Sequence, residues 1–172
     1  MIYFTSDLHF WHEKIIHHCN RPFKDVQEMN EKLICNWNAV VKPDDEVFIL
    51  GDVTMKDPEQ AYTVLSRLSG KKYLVRGNHD LFVDNADWRQ YSWVFQWVKD
   101  YHEMVLNNQK FVLFHYPIAE WADFYKGAIH LHGHQHNAAA YNLQQQKMGL
   151  RRYDVGVDAN GYIPVSLNNI IQ

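Results

Sequence analysis

Short apolar runs alternate with longer amphipathic segments along much of the chain. The runs are rich in Val, Ile, Tyr and Phe, which favours strands that are buried on both faces. Five strands are predicted in this way, at residues 1–5, 46–50, 72–75, 110–114 and 128–131. Because strands that alternate with helices are typical of α/β proteins, the pattern indicates an α/β domain.

Two segments between these strands carry the signals of α-helices. Asp25 and Glu28 form a capping box at the start of the first segment. Apolar residues then recur on one helical face, at Met29, Leu33, Trp37 and Val41. The second helix begins at Asp57-Pro58, with proline in the first helical position, and ends before Gly70.

The second half of the chain is richer in β patterns. Strict alternation over residues 91–97 predicts a strand with one aromatic face, formed by Tyr91, Trp93, Phe95 and Trp97. One further strand, at 101–106, forms a hairpin with the strand at 110–114 across a turn at Asn107-Asn108. The chain then adds one more strand, a turn at residues 160–161 and a short helix. A two-sheet sandwich flanked by helices is the simplest closure.

Length and composition narrow the classes of protein. With 172 residues the chain suits one domain, expected to span residues 1–172. The net charge of -3 gives no support for tight non-specific binding to nucleic acid. No apolar run approaches a membrane span, and the N-terminal residues lack the basic start of a signal peptide. Cys19 and Cys35 fit no CxxC motif, which favours reduced thiols in a cytoplasmic protein.

Residues that can bind metal follow each of the five predicted strands. In chain order they are Asp7 and His9, then Asp52, then Asn78, His79 and Asp80, then His115, and finally His134 and His136. Functional crevices of open α/β sheets lie at the carboxyl ends of the strands, so we expect these side chains to converge. Any one of them alone fits an ordinary turn or a core histidine. The five together indicate a site.

The mixture of residue types indicates the class of metal. Carboxylate, imidazole and amide groups suit Mn²⁺, Fe²⁺, Co²⁺, Ni²⁺ or Zn²⁺ rather than Ca²⁺. Seven candidate ligands are too many for one ion with an open position and suit two ions that share a carboxylate. Gly51, Gly77 and Gly133 each precede a candidate ligand, where the backbone is expected to turn sharply and approach the ions.

The ordered motifs resemble those of the calcineurin-like metallophosphoesterase superfamily. That family carries D-x-H, G-D, G-N-H-[DE], H and G-H-x-H, which correspond here to residues 7–9, 51–52, 77–80, 115 and 133–136. The match covers nearly the whole chain, which also resembles small bacterial and phage members without an added cap domain. The resemblance implies an α/β fold, a four-layer αββα sandwich of two mixed β-sheets flanked by helices.

The resemblance also implies a dinuclear metal centre. Its ligands would be Asp7, His9 and His136 for one ion, Asn78, His115 and His134 for the other, and Asp52 as the bridge. A bridging hydroxide would attack phosphorus, and His79 would stabilise the developing charge or protonate the leaving oxygen. Mn²⁺ is favoured, with Fe, Ni, Co or Zn as alternatives.

One departure from the family pattern concerns the surroundings of His79. Many relatives carry an acid at the position of Met55, and that acid orients the histidine. Here Asp80 or a backbone carbonyl would have to orient His79, and Asp80 is therefore grouped with it as a candidate catalytic residue. The departure favours a small phosphodiesterase-like enzyme over a protein phosphatase.

Other polar and aromatic residues have two interpretations each. His12, Arg21 and Arg76 are candidate substrate contacts, although His12 also suits a helix start and Arg76 an ion pair. His130 and His132 match no family ligand, so we expect core packing or hydrogen bonds to ligands. The aromatic face of residues 91–97 is expected to pack a sheet or another subunit rather than nucleobases.

Three functions compete on this pattern. The favoured one is a phosphodiesterase that acts on small phosphodiesters or nucleotides, with nucleic acid as a further candidate substrate despite the lack of a basic patch. The alternatives are a phosphomonoesterase acting on nucleotides or phosphoproteins and a non-catalytic scaffold of the same fold. A scaffold is expected to lose ligands, and here every ligand position is filled. The pattern selects neither a substrate nor an oligomeric state.

Overall fold

The computed structural model describes residues 1–171 and contains two β-sheets packed face to face. The strands are β1 Ile2–Thr5, β2 Glu46–Ile49, β3 Lys71–Val75, β4 Phe95–Lys99, β5 Tyr101–Leu106, β6 Gln109–Phe114, β7 Ile129–His132, β8 Arg152–Asp154 and β9 Val165–Ser166. The α-helices are α1 Glu13–His18, α2 Val26–Val40, α3 Pro58–Leu65, α4 Tyr141–Lys147 and α5 Leu167–Ile170, and 3₁₀ helices span Leu81–Asp84, Ala86–Val94 and Phe124–Lys126. The predicted domain also includes Gln172, which lies outside the described residues.

Both sheets are mixed. The first has the order β4-β3-β2-β1-β9, in which β9 alone runs antiparallel to its neighbour. The second has the order β5-β6-β7-β8, in which β5 and β6 form the predicted hairpin and β6, β7 and β8 are parallel. The carboxyl ends of the parallel strands in the two sheets lead into one region, where the bridge between Ser6 and Gly156 connects them.

Apolar side chains fill the space on both faces of each sheet. Phe4 lies between the sheets, with its ring 5.5 Å from that of Phe48 and 6.2 Å from that of Phe111. On the outer face of the first sheet, helices α1, α2 and α3 cover a second core that includes Trp37. Trp121 packs on the outer face of the second sheet, and α4 packs against β8. The αββα sandwich of two mixed sheets is therefore confirmed.

The helix signals in the sequence correspond to hydrogen bonds in the structure. The Asp25 side chain accepts from the backbone N–H of Glu28, and Asp57 accepts from that of Gln60. Each cap satisfies an N–H group that the first helical turn leaves without a partner. Helix α3 ends at Leu65, a little earlier than its periodicity suggests. The start of both helices is therefore set locally.

The prediction of one aromatic strand over residues 91–97 is wrong. Asn85 caps a 3₁₀ helix by accepting from the backbone N–H of Asp87, and this helix contains Tyr91 and Trp93. Tyr91 packs beside helix α3, with its ring 4.5 Å from that of Tyr62. The local cap and the contact with α3 thus outweigh the alternation, which continues into β4 only at Phe95 and Trp97.

Two expectations from composition concern thiols and membranes. Cys19 and Cys35 are both free, as predicted, with Cys19 half-buried and Cys35 exposed. Over residues 1–171, no helix combines the length and the apolar character that crossing a bilayer requires.

Candidate metal centre

Hydrogen bonds from backbone N–H groups bring four of the five predicted segments together. The N–H of Asp7 donates to the carbonyl of Gly51 at 3.0 Å, and that of His9 donates to the carbonyl of Asp52 at 2.9 Å. In the second sheet, the N–H of Gly133 donates to the carbonyl of His115 at 2.9 Å. The N–H of His134 donates to both carboxylate oxygens of Asp7, at 3.1 and 3.0 Å, and so joins the two sheets.

Several residues of this region have left-handed backbone conformations. The φ angles lie between 49° and 72° for Asp7, His9, Asp52, His134 and His136. Such angles are uncommon in residues other than glycine and cluster at functional sites, where surrounding contacts hold them in place. The sequence predicted sharp turns at the preceding glycines but gave no sign that the candidate ligands themselves would have positive φ.

Two glycines are required by close approach rather than by backbone angle. A Cβ atom on Gly77 would lie 2.2 Å from Oδ1 of Asp52, and one on Gly133 would lie 2.0 Å from Oγ of Ser6. Contacts this short cannot be accommodated. Any larger residue would push the Asp52 segment away from position 77, or the Asp7 segment away from position 133. The predicted close approach of backbone at these glycines is present.

Among residues 1–171, three groups of side chains offer ligand atoms that lie within 4.8 Å of one another. One of them joins His136 to Cys19 and Asp158, and the other two consist entirely of predicted ligands. The first cluster is Asp7, His9 and His136, and the second cluster is Asp52, His115 and His134. Asp52 also reaches the first cluster, because its Oδ2 lies 3.5 Å from Nε2 of His9 and 3.5 Å from Nε2 of His115. Oδ1 of Asn78 lies 3.1 Å from Nε2 of His115. All seven predicted ligands therefore meet in one place.

Burial sets the protonation of these groups in the metal-free protein. Asp7 is 0% exposed and Asp52 is 1% exposed. Burial raises the pKa of Asp7 to about 7, although the nearby His136 and the Ser6 hydroxyl oppose the rise. Burial also lowers the pKa of His9, which keeps this imidazole neutral. Neutral imidazole is the form that binds metal.

The first cluster contains a ring nitrogen without a partner. Among residues 1–171, Nε2 of His9 is buried and accepts or donates no hydrogen bond. A buried polar atom of this kind is costly unless a ligand satisfies it, and so are carboxylates buried side by side. A divalent cation would satisfy the nitrogen and neutralise the carboxylates. The donor set therefore fits a divalent metal ion.

His136 has a buried supporting network that the sequence interpretation missed. Nδ1 of His136 donates to Oδ2 of Asp158 at 2.8 Å, and Arg21 donates to both oxygens of the same carboxylate at 2.8 Å. Burial lowers the pKa of His136, but the Asp158 hydrogen bond and Asp7 outweigh burial and raise it overall. One signal for Asp158 was present: it follows β8, at the same carboxyl edge as the other segments.

Both arginines predicted as substrate contacts are used elsewhere. Arg21 is wrong as a phosphate contact, because its side chain is fully buried and bound to Asp158 and to backbone carbonyls. Arg76 forms the ion pairs that were its alternative interpretation, at 2.5 Å to Asp84 and 2.8 Å to Asp100. An arginine in a bidentate or double ion pair has few donors left for substrate.

Comparison with known proteins agrees with this geometry. The model of the calcineurin-like phosphoesterase superfamily domain matches residues 1–153. The chain belongs to the calcineurin-like phosphoesterase superfamily. Members of this superfamily are phosphoesterases that generally use divalent metal ions. The predicted family is confirmed, and the chain is accordingly a metal-dependent phosphoesterase by family.

Three proteins illustrate the similarity. The uncharacterized protein MJ1445 of Methanocaldococcus jannaschii is 36% identical over 175 residues, which cover 99% of this chain and 89% of that protein. The Gene 66 protein of Mycobacterium phage L5 is 29% identical over 184 residues, covering 92% of this chain and 87% of its own. The crystal structure of AQ665, a protein of unknown function from Aquifex aeolicus, has a TM-score of 0.75 and 26% identity, covering 99% and 97% of the two chains.

The histidine of the superfamily's third motif, His79, lies at the mouth of the site. Its half-exposed ring is 5.5 Å from the ring of His9, and its backbone N–H donates to Oδ1 of Asp52 at 3.0 Å. Within the described chain, no group hydrogen-bonds the His79 imidazole, so the expected orienting contact from Asp80 or a carbonyl is not present. Met55 is 52% exposed and offers no substitute.

Asp80 has a structural place instead of the predicted catalytic one. Its buried carboxylate accepts from the backbone N–H groups of Asp52, Val53 and Gly77, each at 2.8 Å. These bonds fix the loop after β2 to the loop after β3. Asp80 therefore positions Asp52 and the third-motif loop, and it does not face the open side of the site.

The remaining candidate histidines divide between the mouth and the core. Nδ1 of His12 lies 3.5 Å from Nδ1 of His9, and the half-exposed His12 ring precedes helix α1. His130 is fully buried, with its ring nitrogens 3.1 Å from the carbonyls of Val112 and Tyr116. His132 is also fully buried and hydrogen-bonds the carbonyl of Gly133 at 2.9 Å. The expected core role of His130 and His132 is confirmed.

A surface groove elsewhere shows that cavity size does not identify this site. The groove has a volume of about 510 Å³ and lies between α4, β8 and α5, where Asn142, Tyr153 and Ile170 line it. None of the candidate metal ligands contributes to its lining. The chemistry of the side chains, rather than the depth of a cavity, marks the functional region.

Proposed function

We propose that the protein is a dinuclear metal-dependent phosphoesterase that hydrolyses phosphodiester bonds in small phosphodiesters or nucleotides. The position of Asp52 carries the proposal. Its Oδ2 lies 3.5 Å from ring nitrogens of His9 and of His115, which belong to different clusters. A carboxylate between two sets of ligands is suited to bridge two ions.

The ligands of the two ions follow from the two clusters. One ion would be held by Asp7, His9 and His136, the other by Asn78, His115 and His134, and both by Asp52. When bound, two divalent ions lower the pKa of a water molecule, which becomes the nucleophile, and neutralise the phosphoryl oxygens. The mixed donor set favours Mn²⁺, with Fe, Ni, Co or Zn as alternatives.

His79 is the candidate general acid. Its imidazole has no hydrogen-bond partner among residues 1–171 and lies at the open side of the centre, so it is free to hold a proton and donate it to the leaving oxygen. The backbone contact with Asp52 keeps the His79 loop beside the ligands. A phosphate-ester oxygen leaves poorly without such a proton. His12, whose Nδ1 lies 3.5 Å from Nδ1 of His9, is a candidate contact for the phosphoryl group.

The charge of the substrate is the reason to favour diesters. A phosphate monoester is largely dianionic near neutral pH, whereas a diester carries one negative charge. Arg21 and Arg76 are both engaged in ion pairs away from the site's open side. The contacts left to the substrate are imidazoles rather than guanidinium groups, which suits the smaller charge. Met55, at the position where many relatives carry an acid, favours the same conclusion.

A substrate panel tests the proposal. The purified protein, supplied with Mn²⁺, would be assayed on bis-p-nitrophenyl phosphate, p-nitrophenyl phosphate, 2′,3′- and 3′,5′-cyclic nucleotides, and single-stranded RNA and DNA. We expect turnover of diesters to exceed that of the monoester. Monoester turnover well above diester turnover would overturn the diester preference, and no Mn²⁺-dependent turnover of any ester would overturn the proposed function.

A further inference from the structure

We infer that Asp158, held in place by Arg21, is a positioning residue that orients His136 and so prepares the first cluster for metal more strictly than the second. The inference rests on the proposed function for the identity of the ligand. The orientation itself concerns only side chains of this chain and can be measured without metal.

The contacts of Asp158 leave it little freedom. Its carboxylate accepts hydrogen bonds from Nε and Nη2 of Arg21, each at 2.8 Å, and from Nδ1 of His136, also at 2.8 Å. The Arg21 side chain is 0% exposed and that of Asp158 is 6% exposed. A bidentate pair in a buried position fixes both distance and plane, which a single hydrogen bond does not.

This arrangement determines which ring nitrogen of His136 is available to a metal ion. A carboxylate paired with arginine can only accept hydrogen bonds, so Nδ1 of His136 must carry the hydrogen. The lone pair of the neutral ring is then on Nε2. Such an outer carboxylate sets the tautomer and rotation of a metal-binding histidine and strengthens binding.

Arg21 extends the same support to a second residue of the first cluster. Its Nη2 donates to the backbone carbonyl of Asp7 at 2.7 Å, and its Nη1 donates to that of Leu8 at 3.1 Å. The guanidinium group therefore joins the turn that carries Asp7 to the carboxylate that orients His136. Although Arg21 and Asp158 are 137 positions apart in the chain, they act as one unit.

The second cluster has no equivalent unit. Nδ1 of His115 donates to the backbone carbonyl of Leu50 at 2.7 Å. In the part of the chain that the structure describes, no carboxylate hydrogen-bonds the ring of His115 or His134. The substitution Asp158→Asn should therefore weaken one metal position and leave the other unchanged.

The test combines calorimetry with NMR spectroscopy. Co²⁺ alone would be titrated into the metal-free wild type and into Asp158→Asn, and the histidine tautomers of both metal-free proteins would be read from ¹⁵N side-chain spectra. We expect one of two binding events to weaken by about 10- to 100-fold, with the other unchanged. We also expect the His136 ring to change from a single tautomer to a mixture. Asp123→Asn, which alters a surface ion pair with Lys110, is the matched control.

The other possible results of the titration and the NMR experiment distinguish failure of the inference about Asp158 from failure of the proposed function. Equal weakening of both events would show a general structural role for Asp158 and overturn the inference, as would unchanged affinity together with an unchanged tautomer. A wild type that binds no Co²⁺ would overturn the proposed function, while the NMR result would still decide the orientation of His136. If Asp158→Asn does not fold, Arg21→Lys keeps the charge but loses the bidentate pair, and a smaller weakening confined to the same event is expected.

Discussion

The two clusters of the centre are built on different kinds of support. Around the first cluster, a buried arginine and carboxylate hold His136 and the Asp7 turn. Around the second cluster, the ring of His115 is held by a backbone group, because its Nδ1 donates to the carbonyl of Leu50. Asn78, another candidate ligand of this cluster, is exposed. The first cluster is thus preorganised by a buried pair of charged side chains, whereas the second cluster depends on backbone groups.

Asp52 is the residue shared by both clusters, so its removal gives the largest expected effect. Asp52→Asn keeps the size of the side chain and removes the charge that both positions use. We expect bound metal to fall at both positions and diester turnover to fall by about 10³-fold or more, since each lost charge contact costs about 10²–10³-fold. Metal analysis and steady-state kinetics would measure this, with Asp123→Asn as control. Loss at a single position would mean that Asp52 does not bridge.

A substitution of His79 should separate the loss of catalytic turnover from the loss of metal binding at both clusters. His79→Ala removes the candidate acid without touching a proposed ligand, and proton donation contributes about 10²–10⁴-fold. We expect diester turnover to fall by about 10²-fold while the protein still binds two equivalents of metal. A substrate with a good leaving group, such as bis-p-nitrophenyl phosphate, should be less affected than a cyclic nucleotide. Equal turnover of variant and wild type on the cyclic nucleotide would disprove the acid role.

The convergence of the candidate ligands was predictable from the sequence, whereas the residues that support them were not. Asp7, Asp52 and His115 each lie within three residues after the end of a strand, and parallel strands of a sheet bring their carboxyl ends to one edge. Arg21 was predicted to contact the phosphate of the substrate, because arginine residues near metal sites can bind phosphate groups. Its true partner, Asp158, is 137 positions away, and only the tertiary structure brings them together.

Local signals can also override a clear pattern, as residues 86–97 show. The alternation of aromatic residues predicted a strand over residues 91–97, but the Asn85 cap starts a 3₁₀ helix that continues to Val94 and includes the first half of that segment. By contrast, the cap at Asp25 agreed with the periodicity that followed it, and α2 was predicted correctly. Where a helix cap conflicts with the periodicity of the residues after it, tertiary contacts decide which secondary structure forms. Here the deciding contact is the packing of Tyr91 on Tyr62.

Two buried carboxylates near the centre should respond oppositely to pH: Asp80, which fixes the Asp52 loop, and Asp158, which holds His136. Burial and the nearby charge of Asp52 raise the pKa of Asp80 to about 6, although the hydrogen bonds that Asp80 accepts from backbone N–H groups oppose the rise. Burial also tends to raise the pKa of Asp158, but the hydrogen bonds from His136 and Arg21 outweigh burial and lower it. Asp80 therefore favours the folded state most at acid pH, whereas the contribution of Asp158 is lost as the pH falls below about 4.

Denaturation of the metal-free protein tests the Asp80 side of this contrast. Between about pH 4 and about pH 6 the folded state holds a proton on Asp80 that the unfolded chain releases. The contribution of Asp80 to the free energy of unfolding should therefore fall by about 2 kcal/mol across this range as the pH rises. Urea denaturation of wild type and Asp80→Asn at several pH values isolates it, because the variant lacks this titration. If the free energy of unfolding depends on pH in the same way for the two proteins, the raised pKa of Asp80 is refuted.

The smallest expected effect concerns the acid that is absent beside His79. Met55→Asp places a carboxylate at the position where many relatives carry one, and a nearby negative charge raises the pKa of an imidazole. Since the acid role needs protonated His79, activity should persist to higher pH in the variant, with a change in turnover below about tenfold. Met55→Asn has the same shape without the charge and should leave the pH profile unchanged. If both variants shift the profile equally, the effect comes from packing around residue 55 rather than from the added charge.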